Sequence, residues 1–211
     1  MGINNELAVL YSKFLKQGEH FVVGGVIDEK IYLSSRVKLM ILFKEIYDPN
    51  KIGQWSLVDY VNDQILNENF TYAWGSVGMW GFGAENGYVY FDMVNRTESI
   101  KNGLKTIAAT SLKKYGGYVR KYELVKEHAR ENIELWTKEI EIIKPDIVVC
   151  AGTYPVVQDI LGFESSECKS GVNYGKALNT MFMDFHHPAD FANPRLLYAY
   201  FKETMLSLGY R

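Results

Sequence analysis

Residues 36–51, RVKLMILFKEIYDPNK, contain an apolar run that ends in a short charged segment. The five consecutive apolar residues at 39–43 are too few for the buried face of a helix and are typical of a strand covered on both sides. In open parallel sheets, ligands bind in the crevice beyond the carboxyl ends of the strands. The sequence therefore predicts a central strand at 37–43 and a candidate site directly after it.

The charged segment after this run carries two carboxylates, Glu45 and Asp48. A loop that leaves a buried strand can hold a carboxylate partly away from water, where it can be tuned for acid or base chemistry. An ordinary turn at Asp48-Pro49-Asn50 with a solvated Glu45 explains the same residues. Both interpretations stay open at this stage.

The composition is that of an ordinary globular protein. The chain has 211 residues, of which 47% are hydrophobic and 23% are charged, and its formal net charge is −2. This size predicts one domain over residues 1–211, in which residues 1–35 form a helix and an extension packed on the rest. The slightly acidic charge provides no general attraction for nucleic acid, so any such contact has to come from a local patch.

The cysteines and apolar runs bear on the compartment. Cys150 and Cys168 are too few for an iron–sulfur or metal framework, so we expect free thiols in a cytoplasmic protein. No stretch approaches the roughly 20 apolar residues of a membrane-spanning helix, and the N-terminus lacks the pattern of a secretion signal. We therefore expect no membrane association, no bound metal and no cofactor.

Three further apolar runs predict strands at residues 105–112, 146–151 and 180–185. Helices are predicted between the strands, most clearly over residues 55–67 and 122–144, where apolar residues recur every three to four positions. Strands that alternate with helices indicate a parallel sheet covered on both faces. The predicted fold is a three-layer α/β/α sandwich around a mostly parallel, four-stranded sheet.

Residues 70–90 combine seven aromatic residues with five glycines. Glycine disfavours a regular helix, so we expect a loop in this segment. The aromatic rings either form a stacking platform for a nucleic-acid base or fill the space between the loop and the core. The sequence leaves both interpretations open.

Polar side chains follow each predicted strand at the point where it ends. Because parallel strands end at the same edge of a sheet, these side chains are expected to line one pocket. They are Glu45 and Asp48 after the first strand, Ser111 at the end of the second with Lys113 and Lys114 after it, Thr153 and Tyr154 after the third, and His186 and His187 after the last. The two lysines either contact phosphate or belong to a solvated turn.

The adjacent histidines favour one catalytic imidazole over a metal site. Neighbouring residues of a strand point to opposite faces, so a single metal ion bound by both His186 and His187 is disfavoured. A single histidine beside carboxylates agrees better with the pattern. No G-x-S-x-G segment of a serine hydrolase is present in the sequence.

The segments KEIYDPN and HHPAD, each directly after a predicted strand, resemble the two signature segments of the uracil-DNA glycosylase superfamily. In that superfamily the first strand leads into a G-E-A-P-G or G-Q-D-P-Y loop and the last strand into H-P-S or H-P-A. The order and separation agree over about residues 36–205, with DIVVCAGTYP in the expected place between them. The resemblance implies a uracil-DNA glycosylase-like fold and an enzyme that hydrolyses the N-glycosidic bond of a damaged or non-standard base.

The resemblance also implies roles for individual residues. Glu45 or Asp48 would position a water for attack at the sugar C1′, and His187 would donate a hydrogen bond to the base as negative charge develops on it. Phe191 resembles the apolar wedge that enters the base stack when a nucleotide is flipped. The implied base contacts are Ile46, Tyr47, Trp55 and Ser111, and the implied nucleic-acid contacts are Lys113, Lys114, Pro188, Ala189 and Phe191.

Departures from the superfamily pattern leave alternatives open. Lys44 and Asp48 stand where the G-E-A-P-G loop has glycines, so the floor of the pocket must differ. Ser111 stands where the superfamily supplies a base-reading asparagine, and a hydroxyl offers less than the donor and acceptor of an amide. The alternatives are an inactive protein of the same fold that binds nucleic acid or a nucleotide, and an unrelated hydrolase on a similar sheet.

Overall fold

The computed structural model describes residues 1–15, 21–46, 54–115, 122–190 and 193–211. Its elements, in chain order, are α1 (Ile3–Ser12), β1 (Phe21–Val23), β2 (Gly25–Val26), α2 (Glu29–Ser34), β3 (Leu39–Phe43), β4 (Gln54–Ser56), α3 (Leu57–Asn67), α4 (Tyr72–Glu85), α5 (Phe91–Val94), α6 (Thr97–Lys105), β5 (Ile107–Ser111), α7 (Tyr122–Glu131), α8 (Ile133–Ile143), β6 (Ile147–Ala151), α9 (Tyr154–Leu161), β7 (Ser166–Glu167), β8 (Asn173–Ala177), β9 (Thr180–Phe185) and α10 (Pro194–Ser207). No helix in these ranges is long and apolar enough to cross a membrane.

The main sheet is mixed and has seven strands, in the order β2-β5-β3-β6-β9-β8-β7. The four predicted strands form its parallel centre, β5-β3-β6-β9. The expected four-stranded sheet is nevertheless wrong, because β2, β8 and β7 add antiparallel pairs at the edges. These edge strands have two to five residues and no continuous apolar run, so the criterion that found the central strands did not reveal them. Two further strands, β1 and β4, form a separate parallel pair.

Strand β3 lies at the middle of the parallel centre and is buried along its whole length. Its side chains alternate between the two faces of the sheet, as the pleat requires. Leu39, Ile41 and Phe43 join a hydrophobic cluster that includes α3, α4, α6 and α10. Met40 and Leu42 join a second cluster with α1, α7, α8 and α9. Helices therefore cover both faces of the sheet, which is why the apolar run is continuous rather than alternating.

The glycine-rich and aromatic-rich segment forms helix α4, so the expected loop is wrong. A Cβ atom on Gly103 of helix α6 would collide with the carbonyl oxygen of Gly78 in α4. Glycine at these positions therefore permits the two helices to approach closely, and this contact offsets the low helix propensity of glycine. The side chains of Trp74 and Trp80 are buried in the core, so those two rings do not form an exposed stacking platform.

Two predicted helices have different boundaries in the structure. Trp55 lies in strand β4, and α3 begins after Ser56, whose hydroxyl accepts a hydrogen bond from the amide of Asp59. The long helix expected over residues 122–144 is divided into α7 and α8 at Asn132, whose φ of −109° and ψ of 22° are not helical. A periodic apolar pattern continues across this break because both helices pack on the same face of the sheet.

Candidate functional site

A pocket of about 350 Å³ lies at the carboxyl edge of the parallel strands, where β3, β6 and β9 end. The side chains that give it chemical character are Lys44, Asp184, His186, His187, Asp190 and Tyr200. Its volume is at the lower end of the range of about 300–1,000 Å³ for small-molecule sites. The edge predicted from the sequence therefore contains a cavity, and His187 is part of its lining.

The imidazole of His187 is half-buried and held in one tautomer. Its Nδ1 accepts a hydrogen bond from the amide of Ala189 at 3.1 Å, so the proton of the neutral ring lies on Nε2. Burial lowers the pKa of His187, the charge of Lys44 lowers it further, and the carboxylate of Asp190 raises it. The net effect favours a neutral ring that carries its proton on Nε2.

Three strand ends converge beside this imidazole. The rings of Phe43, the last residue of β3, and His187 meet edge to face with centroids 5.6 Å apart. Between them, the amide of Gly152 donates to the carbonyl of Phe185 at 3.1 Å, and the hydroxyl of Thr153 donates to the carbonyl of Leu42 at 3.0 Å. The chain turns directly after β6. The residues at the ends of β3 and β9 can therefore contact each other across the end of β6.

Glu45 lies at the same edge but turns towards strand β5. Its Oε2 atom is 2.8 Å from the Nζ atom of Lys113, and the two side chains are only 9% and 8% exposed. Backbone hydrogen bonds continue past the paired strands, from Leu112 to the carbonyl of Phe43 and from Lys113 to that of Lys44, each at 2.9 Å. The ion pair and these backbone hydrogen bonds hold the two loops together. Glu45 lies beside the pocket and is not one of its lining residues.

Lys114, predicted to contact nucleic acid, is enclosed in the interior. Its Nζ atom lies 2.5 Å and 2.6 Å from the two carboxylate oxygens of Glu139, and both side chains are fully buried. It also donates to the hydroxyl of Thr110 at 2.6 Å, and the hydroxyl of Tyr11 donates to the same carboxylate. In this conformation the ammonium group is inaccessible to a phosphate, so the structure assigns Lys114 to the core.

The other predicted contacts divide between the interior and the surface. Ser111 is buried and its hydroxyl donates to the carbonyl of Lys113 at 2.9 Å, so this group is used inside the turn. Ile46 and Trp55 are half-buried and pack against the core. Pro188 is buried and Ala189 is exposed beside His187. Three predicted site residues lie outside the described residues: Tyr47, Asp48 and Phe191.

Two carboxylates of the pocket, Asp184 and Asp190, were not predicted from the sequence. Asp184 is half-buried, and burial raises its pKa, while Asn173 and His186 lower it. The Oδ2 atom of Asp190 lies 3.2 Å from Nδ1 of His186. Asp184 had a detectable signal, since it is the one charged residue in the apolar run TMFMDF. Within the described ranges, no three His, Cys, Asp or Glu side chains are grouped so that they could hold a metal ion.

No protein-family model matches the sequence, and no curated protein shows significant similarity to it. The geometry of the pocket therefore has to support any functional proposal. Its main features are a neutral imidazole with its N–H on Nε2, a lysine in the pocket lining and an ion pair beside it.

Proposed function

We propose that the protein hydrolyses the N-glycosidic bond of a damaged or non-standard base in DNA. The observation that carries the proposal is the state of His187. A neutral imidazole in a pocket, with Nδ1 occupied by a backbone amide, presents its Nε2–H as a fixed donor. Such a donor stabilises a base oxygen that gains negative charge in the transition state.

The proposed reaction needs no group beyond water and these side chains. The water oxygen forms a bond to C1′ while the C1′–N bond breaks, and the electrons of that bond leave with the base. The proton of the water passes to the carboxylate of Glu45 or Asp48, acting as general base. The departing base accepts a hydrogen bond from His187 and is then protonated by solvent.

The position of Glu45 supports this assignment. Its carboxylate is at the carboxyl edge of the sheet, one residue from the pocket residue Lys44, and is held there by Lys113. A general base has to be held within reach of the water that it activates. The ion pair supplies that restraint for at least one of its two oxygens.

The test is release of free base from oligonucleotides that each carry one uracil, hypoxanthine or other altered base. We expect release from at least one of these substrates, and a loss of about 10²–10³-fold in the variant His187→Ala, as for removal of a donor to a developing anion. His128→Ala is the matched control, because His128 lies in α7 and outside the pocket lining. Absence of release from every substrate by the wild-type protein would overturn the proposal.

A binding protein of the same fold is a second candidate, and the Glu45–Lys113 ion pair favours it. A carboxylate oxygen that lies 2.8 Å from an ammonium group is already engaged and is less available to contact a water or a substrate. Nucleic-acid binding that weakens as salt is added, without release of base, is the result expected for this alternative.

A further inference from the structure

One side of helix α10 carries two basic side chains that lie against two aromatic rings. The Cζ atom of Arg195 is 4.8 Å from the centre of the Phe91 ring, and the Nζ atom of Lys202 is 5.8 Å from the centre of the Tyr90 ring. Both distances are within the roughly 6 Å at which a cation and an aromatic ring attract each other. We call these four residues the aromatic-basic surface.

The core holds this surface in place. The buried Tyr198 of α10 donates a hydrogen bond from its hydroxyl to the carbonyl of Val89 at 2.8 Å, and its ring centre is 6.3 Å from that of Phe91. The chain just before α5 is thereby fixed along α10. Arg195 and Lys202 are seven residues apart, so they lie on the same side of the helix, about 10 Å apart along its axis. The two rings and the two cations therefore form one ordered surface.

The ring of Tyr90 is left in contact with solvent. Tyr90 is the last aromatic residue of the glycine-rich and aromatic-rich segment, and it is 82% exposed, whereas Trp74 and Trp80 of that segment are buried. It precedes α5 without forming a side-chain capping hydrogen bond, so it has no evident structural role there. Met93 in α5 and Leu196 in α10 are also exposed, at 42% and 67%. Grouped exposed apolar side chains mark interaction surfaces.

Three cations and one contacting carboxylate, that of Asp92, are linked at this surface. Arg195 forms a 2.7 Å ion pair with Asp92, but the side chains are 61% and 77% exposed, so the pair is weak and open to exchange. Arg96 donates from Nε to the carbonyl of Asp92 at 3.1 Å. In the ranges that the structure describes, Lys202 forms no ion pair, and the adjacent Glu203 projects about 100° away around the helix.

We propose that the aromatic-basic surface binds single-stranded nucleic acid, with one base stacked on the ring of Tyr90 and the phosphates next to Arg195 and Lys202. The inference rests on the proposed function for the class of ligand, and it adds the form of the strand and the place where it lies. Aromatic rings beside cations are the features with which proteins bind unpaired strands. A duplex keeps its bases stacked inside, so the exposed ring favours an unpaired strand.

Helix α10 connects this surface to the candidate site. Tyr200, on the same helix, lines the pocket, so a strand held by Arg195 and Lys202 lies close to it. The roughly 10 Å between the two cations along the helix corresponds to about three stacked nucleotides of one strand. A second copy of this chain fits the surface less well, because it would bring two sets of cations together.

The first test measures stacking. The probe is a fluorescein-labelled oligothymidylate of about 12 nucleotides, within the usual range for such sites, and its anisotropy reports binding. Tyr90→Ala should weaken binding about five- to 150-fold, the contribution of one base stacked on an aromatic ring. Tyr90→Phe keeps the ring and should bind as the wild type does. Tyr122→Ala is the matched control, because Tyr122 is 39% exposed on α7, which packs on the opposite face of the sheet.

The second test measures charge. Lys202→Met should weaken binding and reduce the slope of log affinity against log salt by about 0.7, the contribution of one phosphate contact to a single strand. Lys138→Met should change neither property, since Lys138 is an exposed residue of α8 on the opposite face of the sheet. An abasic oligomer of the same length keeps the phosphates and lacks the bases. It should bind the wild type more weakly than oligothymidylate does and should not distinguish the wild type from Tyr90→Ala.

Three results would overturn the inference: no binding of oligothymidylate by the wild type, equal binding by the wild type and Tyr90→Ala, or equal binding of the abasic oligomer and oligothymidylate by the wild type. Light scattering tests the other occupant. A wild-type dimer that Tyr90→Ala dissociates, without strand binding, would assign the surface to a second copy and also overturn the inference.

The same preparations distinguish this inference from the proposed function. Binding of oligothymidylate that depends on Tyr90, together with no base release from any oligonucleotide, supports the surface and contradicts the glycosylase. Base release by the wild type, together with equal binding by the wild type and Tyr90→Ala, supports the glycosylase and contradicts the surface.

Discussion

The interior of the protein and the carboxyl edge of its sheet each contain a lysine–glutamate pair, and the two lysines are adjacent in sequence. Lys114 lies in the interior with Glu139, and neither side chain is exposed. Lys113 lies at the edge with Glu45, where both side chains retain a small exposed fraction. Lys113 and Lys114 are thus adjacent in one short loop, but Lys114 lies in the core and Lys113 lies beside the candidate site.

The two pairs differ in how their polar atoms are satisfied. In the interior pair, the hydroxyl of Tyr11 donates to Glu139, and Lys114 donates to the hydroxyl of Thr110. Neither side chain of the pair is exposed to solvent. Such a pair is costly to break, because the partner that remains is a buried charge. The edge pair lies next to the pocket residue Lys44, and both of its side chains keep a small exposed fraction. The two pairs therefore differ in burial: one is enclosed in the core, and the other lies beside the pocket.

Removing the interior ammonium should have the largest effect on stability. Lys114→Met leaves Glu139 buried without its cation, and we expect the free energy of unfolding to fall by about 3–5 kcal/mol. Urea denaturation followed by circular dichroism measures this loss. The double variant Lys114→Met/Glu139→Leu should recover part of it, because no isolated charge remains. A single variant as stable as the wild type would contradict the enclosed position of the pair.

Removing the edge ammonium should cost less stability and affect function instead. For Lys113→Met we expect a loss between the roughly 0–1 kcal/mol of an exposed pair and the 3–5 kcal/mol of a buried one. If the wild type releases base, this variant should release it more slowly, because Glu45 loses a restraint. Lys101→Met is the control, since Lys101 of α6 forms a 2.8 Å pair with the more exposed Glu68 and its removal should change neither property. Activity equal to the wild type would remove Lys113 from the site.

The smallest effect concerns the pH dependence of stability at the edge. His187 has a lowered pKa in the folded state, chiefly through burial, so below the unfolded value of about 6.5 the unfolded chain binds this proton more readily. The wild type should therefore lose stability relative to His187→Gln as the pH falls below about 6.5 and should keep a constant difference above it. Melting temperatures of both proteins between pH 5 and 8, roughly the range in which histidine titrates, measure the trend. The opposite slope would mean that His187 is charged in the folded protein.

Sequence patterns predicted the central strands and failed where packing overrides local preference. The apolar runs of β3, β5, β6 and β9 are long enough to require burial, so their positions were predictable. Helix α4 was not, because its glycines gain their stabilising contact only from α6. The pocket was predicted through its edge and through His187, whereas Asp184 was overlooked inside an apolar strand.

The sequence by itself determined that apolar runs alternate with helices and that charged segments follow them, which brings the ends of β3 and β9 to one edge of a sheet. Tertiary structure alone decided where neighbouring polar side chains lie and which partners they contact. Lys44 lines the pocket while Glu45 turns to Lys113, and Lys114 enters the core to meet Glu139, 25 residues away in sequence. The reason is physical: a polar side chain takes the partner that packing places within reach, and that partner belongs to a distant part of the chain.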